Sequence, residues 1–131
     1  MINISTLEQL KIEGTQNRPE ILFNAETGQL LMKGRSILEN TVKFFEPLLI
    51  WIDDYRNNPA KKTELHLDMD YFNTSSSKFI LSIFEKLEEL YDSGYEVEVF
   101  WYFNDEDMED LGEDYNHIVG MPFKFVDRTA A

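Results

Sequence analysis

Residues 63–91 read TELHLDMDYFNTSSSKFILSIFEKLEELY, and two periods meet inside them. From Thr63 to Phe72 apolar and polar residues alternate, the period of a strand with one buried face. Leu65, Leu67, Met69 and Tyr71 are expected on one side, and His66, Asp68, Asp70 and Phe72 on the other. From Ser77 to Tyr91 the spacing becomes helical, with Phe79, Ile80, Ile83, Phe84, Leu87, Leu90 and Tyr91 on one face. Asn73, Thr74, Ser75 and Ser76 stand where one period gives way to the other. A strand that runs straight into an amphipathic helix is half of a β-α-β unit, and this sets the class of the fold.

The flanks repeat the pattern. Towards the carboxyl end, Gly94 stops the helix, and Tyr95 to Phe103 is a strand. Asn104 to Asp114 is a short acidic helix with Met108, Leu111, Tyr115 and Ile118 at helical spacing. Pro122 to Val126 is a last strand, and Asp127 to Ala131 a tail. Towards the amino end, Asn40 to Asn57 carries Val42, Phe45, Leu49, Ile52 and Tyr55 at helical spacing. Pro47 is expected to kink or break that helix, because it removes a ladder hydrogen bond and crowds the preceding turn. Ser36 and Glu39 match a capping box at its start. Pro19 to Asn24 and Gln29 to Gly34 are short apolar runs joined by a turn at Gly28, which reads as a hairpin. Met1 to Asn17 is mixed, with loop chemistry at Gly14 to Asn17. The order is β-β-α-β-α-β-α-β.

Strands separated by helices require crossovers, and crossovers give parallel pairs. The expectation is one α/β domain over residues 1–131, a mixed sheet with an N-terminal β-hairpin and helices packed on it. Sites in such sheets gather at the carboxyl ends of strands, where the Thr74 turn lies.

With 131 residues, 43% hydrophobic and 14% aromatic, the chain can fill one core. It has no cysteine, which removes disulfides, thiolate metal sites and cysteine nucleophiles, and suits a reducing cytoplasm. Met1 to Gln9 have neither a basic start nor an apolar run, so no secretory leader is expected. No apolar stretch approaches the ~20 residues of a membrane span. The formal net charge of −13 opposes binding to nucleic acid or to an anionic membrane, and favours a monomer kept soluble by self-repulsion.

Chemistry is sparse. Asp105 to Asp110 tempts a calcium loop, but Asp110 and Asn116 stand where an EF-hand needs glycine and a bidentate glutamate. His66, Asp68 and Asp70 alternate on one strand face without a recognised metal-ligand spacing. A phosphoaspartate at Asp70 lacks the early acidic pair that would hold magnesium. There is no phosphate loop, nucleophile elbow or Ser/His/Asp arrangement, so no cofactor and no enzyme activity are expected. The hydroxyls of Thr74 to Ser77 remain. Taken alone they read as helix caps sooner than as a modification site.

Gly34-Arg35-Ser36, Glu39-Asn40, Phe44-Phe45-Glu46-Pro47-Leu48-Leu49, Trp51, Asp70 to Ser76 and Tyr102-Phe103 carry a resemblance, in order and over nearly the whole chain. The chain resembles the SiaC family of bacterial regulatory phosphoproteins, which is similar in fold and logic to the STAS-type antagonists of anti-sigma factors. The most specific piece is the Asn-Thr-Ser-Ser turn; Leu38 departs from a frequent proline. The resemblance implies a partner switch. A serine/threonine kinase phosphorylates Thr74, and a PP2C-type phosphatase reverses it. The unphosphorylated form binds and activates an output protein such as a diguanylate cyclase. Asp70, Tyr71, Asn73, Ser75 and Ser76 are then the candidate switch and partner-contact residues. The rival functions are an antagonist of an anti-sigma factor, and a sensor with a small ligand in an apolar pocket under the strand ends.

Overall fold

The computed structural model describes residues 7–129. The first six and last two residues lie outside it, and with them most of the stretch read for a leader and the end of the tail. The elements run β1 (Leu10–Ile12), β2 (Glu20–Asn24), β3 (Gln29–Ser36), α1 (Thr41–Tyr55), β4 (Lys62–Phe72), α2 (Thr74–Asp92), β5 (Glu96–Phe103), α3 (Glu106–Ile118) and β6 (Phe123–Asp127). The expected order is present, with β1 added in front. β1 pairs antiparallel with β2, and its three residues are too few to show a period.

The six strands lie side by side in chain order. β2 and β3 form the antiparallel hairpin, while β3, β4, β5 and β6 are parallel neighbours. Gly28 closes the hairpin at φ 75°, with the Lys62 carbonyl where a Cβ would be. Each crossover steps one strand further in the same direction. Right-handed connections therefore put all three helices on one face of the sheet.

That face holds the core. Ile21, Phe23, Leu30, Met32, Leu65, Leu67, Val97, Val99 and Trp101 are buried along the strands. Phe23 meets Trp51 of α1 at 5.3 Å, and Phe84 of α2 meets Tyr115 of α3 at 5.1 Å. Trp101 lies against Gly112, where a Cβ would come 2.5 Å from the indole ring, so only glycine lets α3 approach this closely. Asp53 of α1 and Arg56, which caps its end, join Lys86 and Glu89 of α2 in a surface clamp.

Four expectations are corrected. Ser36 does not cap α1: it is the last residue of β3 and fully buried, and Asn40 caps the helix by accepting from the Lys43 N–H at 3.1 Å. Pro47 does not break α1, which runs unbroken from Thr41 to Tyr55. Its ring faces solvent, while Phe45, Leu48, Trp51, Ile52 and Tyr55 hold both halves on the sheet. Val42 and Ile118 are 55% and 63% exposed rather than on the buried stripes, and Val119 and Met121 take over burial after α3. In β4 the faces of Tyr71 and Phe72 are exchanged. Gly34 pairs with Met69 and Arg35 with Tyr71, which leaves Asp70 as a bulge. The extra residue turns Phe72 into the core and Tyr71 outward, 47% exposed.

Candidate functional site

Asn73 starts α2 from an extended conformation, and its side-chain oxygen takes three donors. These are the Ser76 N–H at 3.1 Å, the Ser76 hydroxyl at 2.6 Å and the Ser75 hydroxyl at 3.2 Å. A carboxamide oxygen next to first-turn N–H groups is a strong cap. The cap is tied to the sheet. The Asn73 N–H donates to the Ser36 carbonyl at 3.1 Å, and the Ser36 and Ser76 hydroxyls are 2.8 Å apart. Ser36 and Ser76 are both wholly buried. The next carbonyl out, that of Ser77, accepts from the Tyr115 hydroxyl at 3.0 Å. Burial pushes the Tyr115 phenol up to about 12. The turn is thus held from β3 on one side and α3 on the other.

The four hydroxyls are not equivalent. Ser76 is buried and bonded, Ser75 is exposed but donates to Asn73, and Ser77 donates to the Thr74 carbonyl at 2.6 Å. Thr74 is exposed, and its hydroxyl has no hydrogen-bond partner. It is the first residue of α2, where the helix leaves N–H groups unpaired and favours an anion. Lys78 stands one turn further along, at the i+4 position. An exposed alcohol with no base bonded to it can accept a group from another enzyme; it is not an activated nucleophile.

The other candidates separate. Asp70 is the exposed bulge, and Tyr71 lies beneath the Arg35 guanidinium, 5.8 Å from its ring centroid. Ser76, named from the sequence as a contact residue, is internal structure instead. His66 stacks on Phe100 at 4.5 Å and bonds Tyr102 and Glu64, while Asp68 pairs with Arg128 at 2.7 Å. No group of three His, Asp or Glu that could hold a metal occurs among the described residues. Asp105 caps α3 through the Met108 N–H. A cleft of about 520 Å³ lies between the β2–β3 turn and the loop before β4, at the end of the sheet away from Thr74. No described helix is long and apolar enough to cross a membrane.

A family model described as SiaC family regulatory phosphoprotein matches residues 12–128. The chain belongs to the SiaC family. The match contains the whole Thr74 turn. The chain is similar to apo-SiaC from Pseudomonas aeruginosa, with a TM-score of 0.85 and 30% identity over 91% of this chain and 98% of that one. It is similar, at TM-score 0.86 and 30% identity, to the structure of diguanylate cyclase SiaD in complex with its activator SiaC from the same organism. That match covers 91% of this chain and 99% of the other. An uncharacterised protein of P. aeruginosa strain UCBPP-PA14 is 31% identical over 119 residues, 89% of this chain and 94% of its own length.

Three residues that hold the Thr74 turn have no site signature in the sequence. Ser36, Arg35 and Tyr115 reach it only through pairing and packing. A serine that directly continues the apolar run of β3 was the available signal for Ser36.

Proposed function

We propose that the protein is a phosphorylation-switched regulator of a diguanylate cyclase, acts in cyclic-di-GMP signalling, and is not itself an enzyme. Its unphosphorylated form binds and activates the cyclase. A cognate serine/threonine kinase phosphorylates Thr74, a PP2C-type phosphatase removes the phosphate, and the exchange takes place in the cytoplasm. The observation that carries this is that Thr74 presents the single exposed, unbonded hydroxyl of the Thr74–Ser77 tetrad, on a turn anchored at both sides, in a chain of the SiaC family.

The direction follows from charge. A phosphate adds about −1.5 to −2 and three acceptor oxygens. The helix start tolerates that anion, so the domain stays folded. A partner seated on Thr74, Ser75 and the neighbouring Asp70 and Tyr71 would have to bury the phosphate unmatched, and that costs several kcal/mol. The test combines fragmentation mass spectrometry after incubation with the kinase and calorimetric titration of both forms against the cyclase. Phosphate on Thr74 and binding by the unmodified form alone are expected. Phosphate confined to Ser75 or Ser77, or tighter binding by the phosphoprotein, overturns it.

A further inference from the structure

The helices cover one face of the sheet and leave the other bare, and the two sides differ in charge. The bare face carries Lys11, Lys33, Arg35, Lys62, Lys124 and Arg128, placed there by strand register and by the bond from Arg128 to Asp68. Its acids are Glu20, Glu64, Asp68, the bulged Asp70, Glu96 and Glu98. Six of the chain's 12 basic residues therefore share this side with six of its 25 acids, and six bases face nineteen acids elsewhere. On a chain of net charge −13, this is the one side that does not repel an anion.

The bases are also arranged. Every cation–π pair among the described residues stands on this face: Arg35 over Tyr71, Lys124 over Phe100 at 5.9 Å and Arg128 over Tyr102 at 4.7 Å. A cation held over a ring by its own chain loses little freedom when a carboxylate arrives. The face is continuous with the switch. Arg35 pairs with Tyr71, and the next carbonyl in the chain, that of Ser36, holds the Asn73 N–H.

We infer that the output partner binds with an acidic segment laid across this face, over Arg35–Tyr71 and Arg128–Tyr102, up to the Thr74 turn. The inference rests on the proposed function and names the partner's chemistry. It also supplies a reason for the sign of the switch. Phosphate at Thr74 places about −1.5 to −2 of charge at the end of this surface, where it repels an acidic segment and competes for Arg35. A second copy of this chain is a poorer occupant, since two such faces would set like cations opposite each other.

The experiment titrates a SiaD-type diguanylate cyclase from the same organism into the wild-type protein, Arg35→Glu, Arg128→Glu and Lys61→Glu, at low and high salt. Lys61 is exposed in the loop before β4, so its reversal changes net charge without touching the face. Arg35→Glu and Arg128→Glu are each expected to weaken binding at least tenfold at low salt, with a smaller loss at high salt, while Lys61→Glu binds as the wild type. Circular dichroism and kinase-dependent mass gain at Thr74 should be unchanged in all three. Wild-type binding that survives both arginine reversals overturns this inference alone, as does a wild-type dimer that Arg35→Glu dissolves. No cyclase binding by the wild type overturns the functional proposal beneath it.

Discussion

The hydroxyls of Ser36 and Ser76 meet 2.8 Å apart, buried, across forty residues of chain. Ser36 has no other side-chain hydrogen bond, whereas Ser76 also donates to Asn73. Ser76→Ala therefore strands the Ser36 hydroxyl in the core. A buried polar group left unpaired costs about 1–3 kcal/mol. The double variant Ser36→Ala/Ser76→Ala removes both partners and should cost less than the sum of the single changes. Chemical denaturation of the four proteins measures the coupling; strict additivity would mean the bond contributes nothing.

Thr74 and Asn73 are adjacent and should behave oppositely. Thr74→Ala removes a hydroxyl with no partner, so the melting temperature should stay within about 2 °C of the wild type while kinase-dependent mass gain disappears. Asn73→Ala removes the acceptor of three bonds and should cost about 1–2 kcal/mol. A Thr74→Ala protein that melts well below Asn73→Ala would make Thr74 a structural residue.

Phosphate on Thr74 should leave the domain as stable as before, or slightly more so. The anion meets the start of α2, worth about 0.3–1 kcal/mol on an exposed helix end, and Lys78 at i+4, worth about 0.2–0.5 kcal/mol. Lys78→Glu should lower the melting point of the phosphoprotein more than that of the unmodified chain. Equal shifts in the two forms would show that Lys78 does not meet the phosphate.

Tyr115 sets an alkaline limit. Its folded pKa of about 12 lies above the ordinary value of 10, so folding favours the neutral phenol. Its contribution is full below about pH 10 and is lost as pH rises towards 12, by up to roughly 2–3 kcal/mol. Tyr115→Phe should be less stable at pH 8, having lost the bond to the Ser77 carbonyl, yet should lose less than the wild type between pH 10 and 12. Urea midpoints at pH 8 and 11 test this; identical pH slopes would exclude Tyr115 as the group responsible.

The regular parts of the fold were legible because their periods are long. Eleven residues of β4 and nineteen of α2 state their faces by repetition. What escaped had no period to show. One inserted residue, Asp70, reverses every later assignment in a strand, so strict alternation puts Tyr71 and Phe72 on the wrong faces. Ser36 and Glu39 have a capping spacing, but the bond that fixes Ser36 lies in α2, beyond any local pattern. At the site, the Asn-Thr-Ser-Ser residues named the turn. Which hydroxyl stays free is a matter of packing: Ser75, Ser76 and Ser77 are each engaged by neighbours only the folded chain supplies.

Strand order equal to chain order has a consequence for synthesis. Each strand after the first is laid against the one made just before it, so no segment waits for a partner still inside the ribosome. Closing loops of one helix each costs little entropy compared with pairing distant ends. The sheet can grow from the β2–β3 hairpin as the chain emerges, and α2 reaches its Ser36 anchor when that strand edge is already in place. The Thr74 turn thus gains its β3 anchor before β5 and β6 exist, and its second anchor, the bond from Tyr115 to the Ser77 carbonyl, only once α3 has been made.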